Sequence, residues 1–268
     1  MSTHDTSGFI TDPVKRKERA VQKQDAILDF LRLERYSNLA NIALLLGTGE
    51  EAARQVLRKM VAKNLLIKDE ESITFQGKKM MTLWGITQDG IFEGLEPERV
   101  PTVSLKNHIR GRVSIVTVEH TLDIQRFVLD YQNSGFLSEW QPHSHLPGQH
   151  LKKKDPNHWQ QYPDGVAEVA RKGGGTMHVA VEIERTFKTP QRYKAIIYGH
   201  LKNIDKGRYV LVLYRLPTEK KAAAFRLLLL RIIEQHRIEH HEYDPQTEDS
   251  TRRKGEALLD RILSNDAL

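Results

Sequence analysis

The spacing of hydrophobic residues over the first hundred positions predicts three helices and then a β-hairpin. Apolar side chains recur every three or four residues over 22–36, 39–46 and 48–63, which is the spacing of amphipathic helices. Two short runs within 72–87 are rich in β-branched and aromatic residues and flank a turn, as in a hairpin. Three helices followed by a hairpin is the order of a winged helix, so we predict a winged helix-turn-helix DNA-binding domain over residues 21–95.

The third predicted helix has a polar face that is rich in basic side chains, and the hairpin turn adds two lysines. We expect the helix face to enter a DNA groove and the hairpin to contact the phosphate backbone. The alternative is a winged helix used for protein contact, whose basic face is only solvated. The predicted DNA-binding residues of this domain are Arg54, Gln55, Arg58, Lys59, Lys78 and Lys79.

A segment rich in proline, glycine and charge over 96–112 predicts a linker, and a second domain follows it over 113–245. We interpret residues 1–20 as a flexible basic arm and residues 246–268 as a charged tail. The second domain is predicted to run in the order helix, strand, strand, strand, helix, strand, helix. These elements are a helix over 113–131, strands over 136–140, 162–169 and 178–185, a helix from 189, a strand over 208–214 and a helix over 220–236.

Acidic residues interrupt the two central strands of this second domain. Along the strand 178–185, alternation places the valines on one face and both Glu182 and Glu184 on the other. If the strands pair across the glycine turn at 173–175, Asp164 approaches the same place. Mg²⁺ takes carboxylate oxygens and activates water, so a bound cation would explain the cluster. The alternative is a set of surface ion pairs with neighbouring basic residues, which are Arg171, Lys172, Arg185 and Lys188.

Composition narrows the class of protein. The chain has 268 residues, 39% of them hydrophobic, a net charge of +6 and a pI of about 9.3, which favours a polyanionic partner. Cysteine is absent, which excludes disulfides, thiolate metal sites and a cysteine nucleophile. No stretch reaches the roughly 18 apolar residues that a membrane span needs, and the first residues are not signal-like. We therefore expect a cytoplasmic protein that binds nucleic acid.

Pro163-Asp164 and Glu182-Ile183-Glu184, on the second and third strands, resemble the motif of the PD-(D/E)xK nuclease superfamily over about residues 113–243. The resemblance implies an α+β multi-domain chain, a winged helix-turn-helix followed by an α/β PD-(D/E)xK restriction-endonuclease-like domain. Glu184 occupies the position where that family has lysine. Lys188 or Lys194, just beyond the motif, could reach back and supply the missing positive charge.

With Glu119-His120-Thr121-Leu122 on the preceding helix, the whole chain resembles the MobC-type plasmid relaxases and the related replication-relaxation family. The resemblance implies a relaxase that nicks one strand at a plasmid origin of transfer, with a relaxosome accessory protein and a coupling protein as partners. It also implies a metal site for Mg²⁺ or Mn²⁺ and a set of catalytic residues around it. The implied metal ligands are Glu119, Asp164, Glu182 and Glu184, and the implied catalytic residues are Asp164, Glu182, Glu184, Lys188, Lys194 and Tyr198.

A relaxase can also hold the cut DNA end on a hydroxyl that a metal or a base activates. Tyr193 and Tyr198 lie on the helix after the acidic strands, and Tyr162 and Tyr214 lie close in the topology. Tyrosines at such places are usually half-buried packing groups, so attack by metal-bound water is the simpler mechanism.

Two groups among the 12 histidines stand out, His143-Ser144-His145 and His240-His241. Ser144 departs from the His-hydrophobe-His strand of better-known relaxases. We expect these histidines to be solvated or to assist a basic loop in holding a DNA strand, with a zinc site as the alternative. The basic residues of that loop are Lys152, Lys153 and Lys154.

Two other functions remain open. The chain could be a non-catalytic accessory protein or a replication or transcription regulator that keeps a nuclease-like fold as a binding platform, and Glu184 in the lysine position favours that alternative. It could also be a double-strand endonuclease of a restriction or transposition system.

Overall fold

The computed structural model of the protein describes residues 12–75, 78–96, 98, 106–171 and 174–235. The chain is mixed α and β and forms two compact units, Met1–Leu129 and Asp130–Leu268. His240, His241 and the predicted charged tail lie outside the described residues. No helix in the described ranges is both long enough and apolar enough to cross a membrane.

The first unit begins with a helix that is longer than the sequence pattern predicts. Residues 13–20, predicted as part of a flexible arm, belong to helix α1 (Pro13–Glu34). The cause is a helix start that the apolar pattern does not mark. Asp12 Oδ1 accepts a hydrogen bond of 2.8 Å from the Val14 backbone N–H, and Pro13 occupies the first helical position, where proline is favoured.

The first unit contains the three predicted helices, but the predicted hairpin pairs differently. Lys78 and Lys79, predicted at its turn, pair with residues 74–75, and the predicted second strand pairs with residues 36–37 and 66–69 instead. The core of the first unit contains Ile27 and Leu31 of the first helix, Ile42 of the second, Leu57 of the third and Trp84 of the strand over 83–86. Strand β5 lies between β1 and β2 in an antiparallel sheet, and β3 pairs with β4 as a separate hairpin. The elements are α1 (Pro13–Glu34), β1 (Tyr36–Ser37), α2 (Leu39–Leu45), α3 (Glu50–Ala62), β2 (Leu66–Asp69), β3 (Thr74–Phe75), β4 (Lys78–Lys79), β5 (Leu83–Ile86) and α4 (Gln88–Phe92).

Helix α5 (Ile115–Asn133) contributes most of its length to the first unit. Its Val118 and Leu122 pack in a cluster with Tyr36 and Leu83. Its Gln125 is fully buried, and there Oε1 accepts a hydrogen bond of 2.7 Å from Ser37 Oγ. The boundary between the units therefore lies within α5, whereas the sequence predicted a new domain from residue 113. Apolar spacing identifies the buried face of a helix but not the element that covers it.

Part of the predicted linker is also packed against the first unit. The backbone N–H of His108 donates to Ile86 O at 2.9 Å, and its Nε2 lies 2.7 Å from Asp69 Oδ2. Gly85 provides the space for the imidazole, because a Cβ atom there would lie 2.2 Å from His108 Cγ. Residues 108–111 are thus hydrogen-bonded to the first unit instead of leaving it.

The second unit is built on a four-stranded sheet in the order β6-β7-β8-β9. The first three strands are antiparallel neighbours, and β9 runs parallel to β8 after a crossover through α6. With α5 in front, the elements follow the order predicted from the sequence. They are β6 (Leu137–Pro142), β7 (Gly165–Ala170), β8 (Thr176–Ile183), α6 (Pro190–Asp205), β9 (Leu211–Arg215) and α7 (Glu219–Gln235).

Strand β8 does not have the half-exposed pattern that its alternation predicted. Val179, Ala180 and Val181 are all buried, so both faces of the strand are covered at its centre. Tyr193 of α6 and Phe225 of α7 belong to the core cluster that contains Ala180. The acids that follow in the chain therefore lie at the edge of a packed core, not on an open face.

Candidate functional site

Asp164 is hydrogen-bonded to the segment that contains the two glutamates. Its backbone N–H donates to Val181 O at 3.0 Å, and its Oδ2 accepts a hydrogen bond of 2.7 Å from the Ile183 N–H. Ile183 separates Glu182 from Glu184 in the chain. The start of β7 and the end of β8 are thus joined through the side chain of Asp164, so the two halves of the predicted motif meet.

Glu182 is the member of the motif with the largest network of buried partners. Its Oε1 lies 3.1 Å from His200 Nε2 and 3.4 Å from Gln161 Nε2, and its side chain is 14% exposed. Within the described part of the chain, these bonds all use Oε1. The second oxygen, Oε2, accepts no hydrogen bond there and can face a cation.

Glu184 is buried and is paired with Lys188. Its side chain is 5% exposed, and its Oε2 accepts a hydrogen bond from Lys188 Nζ four residues further on. The Tyr193 hydroxyl accepts a hydrogen bond of 3.0 Å from the Lys188 backbone N–H. A lysine ammonium is therefore present near the end of β8, where it donates to Glu184.

The other two predicted catalytic residues, Lys194 and Tyr198, lie on α6. Lys194 is half-buried on α6 beside Tyr193, and Tyr198 is 39% exposed. Tyr193, Ile197 and His200 form the buried side of that helix, which places Tyr198 on its exposed side. The structure does not bring Tyr198 to the glutamates.

The buried tyrosines are poor candidates for a nucleophile. Burial raises the pKa of Tyr193 well above its ordinary value, and the charge of Glu184 raises it further. Burial likewise raises the pKa of Tyr214, with added effects from Glu182 and Glu184. Tyr162 is stacked against Trp159 at 5.7 Å between ring centroids. A phenol that resists deprotonation is a weak nucleophile, so these positions favour packing roles.

Glu119 belongs to the first unit, whereas Asp164, Glu182 and Glu184 belong to the second. Its helix α5 is held by Val118 and Leu122 in the cluster described above. Among the described residues, no group of three or more histidines, aspartates and glutamates has an arrangement that could hold a metal ion. The four-carboxylate ligand set implied by the resemblance therefore stays a prediction.

Asp164 and Glu182 are the two candidate carboxylates for a magnesium-type ion. Mg²⁺ keeps several waters and is usually bound by one or two protein carboxylates together with substrate phosphates. Asp164 and Glu182 are joined through Ile183, and Glu182 Oε2 accepts no hydrogen bond from the described residues. Asp164, Glu182, Glu184 and Lys188 sum to two negative charges, which one divalent cation would balance.

Sequence reasoning missed His200, Asn203 and Tyr209. All three are fully or almost fully buried and form a hydrogen-bonded chain that ends at Glu182. A signal was present in the spacing of α6, where Tyr193, Ile197 and His200 follow each other at intervals of four and three. A histidine on an otherwise apolar stripe needs a hydrogen-bond partner, and that requirement could have directed attention to it.

The predicted DNA-contacting residues of the first unit differ in whether they are paired with an acidic residue. Gln55, Arg58, Lys59 and Lys78 are exposed. Arg54 is paired with Glu51 at 3.2 Å, and Lys79 is paired with Glu70 at 2.7 Å.

The carboxylate of Glu70, which pairs with Lys79, also pairs with a second lysine, Lys68. Hydrogen bonds from Lys79 and then Lys68 lower the pKa of Glu70 to about 2. The exposed end of α3 therefore provides a clearer positive surface than the hairpin.

The second unit also has an exposed basic segment before β7. Lys152, Lys153 and Lys154 are exposed there. His143 of the preceding turn lies with its Nδ1 3.0 Å from Pro163 O. His143 is therefore hydrogen-bonded to the backbone next to Asp164, and it is not part of a zinc site among the described residues.

No protein-family model matches the chain, and no curated protein matches it. Among solved structures, that of ZitR from Lactococcus lactis, a mutant in apo form, is similar to part of it at 21% sequence identity. The similarity covers 46% of this chain and 71% of ZitR, with a TM-score of 0.23. A TM-score of that size supports no argument about fold or function.

Proposed function

We propose that the protein is a metal-dependent DNA-nicking protein of the plasmid-mobilisation type. In this proposal the first unit is a winged helix that binds duplex DNA, and the second is a PD-(D/E)xK nuclease-like domain. The main support is the 2.7 Å hydrogen bond from the Ile183 N–H to Asp164 Oδ2, which joins Pro163-Asp164 to Glu182-Ile183-Glu184. The antiparallel β6-β7-β8 strands with a parallel β8-α6-β9 crossover give the motif the setting that the resemblance requires.

Asp164 and Glu182 would hold Mg²⁺ or Mn²⁺, and such an ion supplies an activated water and neutralises charge on a scissile phosphate. The protein's own residues do the remaining work. Glu182 is oriented by bonds to one of its two oxygens, and Asp164 is fixed by the backbone of β8. Lys188, oriented by Glu184, offers an ammonium to a phosphate oxygen at the strand end. Positive charge in a preorganised position stabilises the charge that develops during phosphoryl transfer.

The finer parts of the proposal come from the resemblance. They are an origin of transfer as the DNA site, a relaxosome accessory protein and a coupling protein as partners, and a cytoplasmic location. The exposed basic residues of α3 and of 152–154 support a DNA partner, since Lys and Arg supply the sequence-independent part of DNA affinity.

A plasmid assay tests the nicking activity. Supercoiled plasmid with an origin of transfer is incubated with the protein and Mg²⁺ or Mn²⁺. We expect open circles from the wild type, none from Asp164→Asn or Glu182→Gln, and normal DNA retention by both variants, because the amides lose a metal ligand and keep the fold. Glu234→Gln, an exposed substitution on α7, is the control and should nick normally. Linear product would indicate a double-strand endonuclease instead, and full activity of either amide variant would contradict the site.

A non-catalytic regulator or accessory protein is the second candidate, and one observation favours it. Asp164, Glu182 and Glu184 each have a hydrogen-bond partner inside the protein, in Ile183, His200 and Lys188 respectively. Such an arrangement is also stable as a metal-free ion-pair network. Unchanged supercoiled plasmid, together with retained binding of the same plasmid, would favour this candidate.

A further inference from the structure

The carboxylate of Glu182 is the end of a buried hydrogen-bonded chain. His200 Nε2 lies 3.1 Å from Glu182 Oε1, and His200 Nδ1 lies 2.7 Å from the Tyr209 hydroxyl. Asn203 Nδ2 in turn donates to the Tyr209 hydroxyl at 2.9 Å. His200 and Asn203 are 0% exposed and Tyr209 is 1% exposed. Four polar side chains from β8, α6 and the segment before β9 are thus connected inside the core of the second unit.

For an ionised Glu182 and a neutral His200, the donors and acceptors of this hydrogen-bonded chain fit one direction. An ionised carboxylate only accepts hydrogen bonds, so His200 must have a proton on Nε2. A neutral imidazole then has an unprotonated Nδ1, which accepts from the Tyr209 hydroxyl. Asn203 Nδ2 supplies the hydrogen bond that this hydroxyl accepts. Burial raises the pKa of Tyr209, which keeps the hydroxyl protonated and able to donate.

The hydrogen-bonded chain also determines which oxygen of Glu182 accepts hydrogen bonds. Gln161 Nε2 adds a second hydrogen bond to Oε1 at 3.4 Å, and Asn203 Nδ2 donates to the Gln161 backbone carbonyl at 2.6 Å. Both donors to the carboxylate are thus linked to Asn203. Oε2 accepts no hydrogen bond from the described residues, so the network turns one oxygen of Glu182 inward and leaves the other for a ligand.

We infer that His200 is a positioning residue for the metal ligand Glu182, and that Tyr209 and Asn203 hold His200 in the tautomer this requires. The inference rests on the proposed function. Groups that orient a metal ligand from behind typically change metal affinity 10–100-fold when they are removed. A histidine present only to satisfy buried polar groups would have no such effect on metal binding.

The first test examines the tautomer in the intact protein without metal. Imidazole ¹⁵N shifts are recorded on the full chain labelled at histidine, and the His200 signals are assigned as those missing in His200→Gln. We expect the pattern of a neutral ring protonated at Nε2. In Tyr209→Phe, which keeps the aromatic packing and removes the donor to Nδ1, we expect loss of that single pattern. A wild-type ring protonated at Nδ1 would overturn the inference whether or not Tyr209→Phe folds.

The second test measures Mn²⁺ binding directly, through the electron paramagnetic resonance signal of free Mn²⁺. We expect Tyr209→Phe and His200→Leu to weaken binding at least about tenfold, while His200→Gln, which retains an N–H donor, recovers part of the loss. Tyr131→Phe removes a hydroxyl from the same unit outside this network and is the matched control, expected to bind as the wild type does. DNA retention and circular dichroism should be unchanged in all of them.

The outcomes separate this inference from the proposed function. A wild type that neither binds Mn²⁺ nor nicks plasmid would overturn both. A wild type that binds Mn²⁺ and nicks, with Tyr209→Phe within twofold of Tyr131→Phe in Mn²⁺ affinity, would overturn the positioning role and leave the nuclease assignment intact.

Discussion

Glu184 and Lys188 form an ion pair just beyond the end of β8. Four residues separate them, and Lys188 Nζ donates to Glu184 Oε2 at a site where only 5% of the glutamate side chain is exposed. In the proposed nuclease function, Lys188 would supply from the segment between β8 and α6 the ammonium that the PD-(D/E)xK pattern places within the motif. Glu184 would add a negative charge, so the proposed site would depend more on a cation than one with lysine in the motif.

Removing Glu184 should destabilise the second unit. In Glu184→Ala, Lys188 Nζ loses the buried carboxylate to which it donates, and a hydrogen bond to a charged group contributes about 1.5–3 kcal/mol. Urea unfolding of the full-length protein, followed by near-ultraviolet circular dichroism, measures the change. Glu234→Ala, an exposed substitution on α7, should stay within about 0.5 kcal/mol of the wild type. Equal stability of the two variants would contradict the buried pairing.

Asp69 makes the stability of the first unit depend on pH in the acidic range. Burial alone would raise its pKa, but hydrogen bonds from Ser72, Glu71 and His108 outweigh burial and lower the pKa from 3.8 to about 2. Because the pKa of Asp69 is lower in the folded than in the unfolded protein, its ionised carboxylate stabilises the fold fully above about pH 4. This stabilisation is lost as the pH falls toward 2.

The expected loss in free energy of unfolding between pH 4 and pH 2 is about 2 kcal/mol. Urea midpoints between pH 4 and pH 2, compared for the wild type and Asp69→Asn, measure it on a fragment of residues 1–133. The variant should be less stable at pH 5 and should show a shallower dependence below pH 4. Parallel curves for the two proteins would show that Asp69 is not the group responsible.

At the scale of elements, the segment 106–112 and helix α5 depend on contacts that are distant in sequence. His108 fits above Gly85, where the absence of a side chain admits the imidazole ring. Gly85 lies in β5, and a glycine within a strand often marks such a close approach. The segment was predicted as a linker because its composition is that of a loop.

Gly85→Ala should therefore displace His108. The new Cβ would lie 2.2 Å from His108 Cγ, and overpacking of this kind typically costs about 1–3 kcal/mol. In the background of His108→Ala the ring is absent, so the same change should cost much less. Free energies of unfolding for the two single variants and the double variant test this coupling. Additive effects would show that the two residues do not compete for the same space.

Helix α3 is the element on which DNA binding by the first unit is proposed to depend. Arg58→Ala should weaken duplex binding by similar factors on different sequences and reduce the slope of log affinity against log salt by about 1, as loss of one phosphate contact does. Arg54→Ala should change the slope less, because Glu51 already pairs with that guanidinium at 3.2 Å. Fluorescence anisotropy at several salt concentrations gives both slopes. Identical slopes for Arg58→Ala and the wild type would remove Arg58 from the interface.

At the scale of the whole molecule, the division into two units does not follow the composition of the chain. Residues 1–133 contain the first unit as it is packed, with Val118 and Leu122 of α5 in place. A fragment that ends at residue 112, where the sequence predicts the end of the linker, lacks both side chains and the buried Gln125.

The longer fragment should fold as a stable protein and the shorter one should be less stable by about 3 kcal/mol or more, since burying each large aliphatic side chain contributes about 1.5–3 kcal/mol. Thermal unfolding by circular dichroism compares the two. Leu122→Ala in the longer fragment should give an intermediate stability. A fragment of residues 1–112 as stable as residues 1–133 would show that α5 is not part of this unit's core.

The sequence by itself determined the type and order of most elements, because apolar periodicity and turn residues act locally. It also placed Asp164, Glu182 and Glu184 on adjacent strands, since the strand order around them follows from short connections. The tertiary structure alone decided which unit α5 belongs to, how Glu184 is paired with Lys188, and why His200 lies behind Glu182. These features depend on which elements pack against each other. The pattern of apolar residues along the sequence indicates that a side chain is buried, but it does not identify the element that buries it.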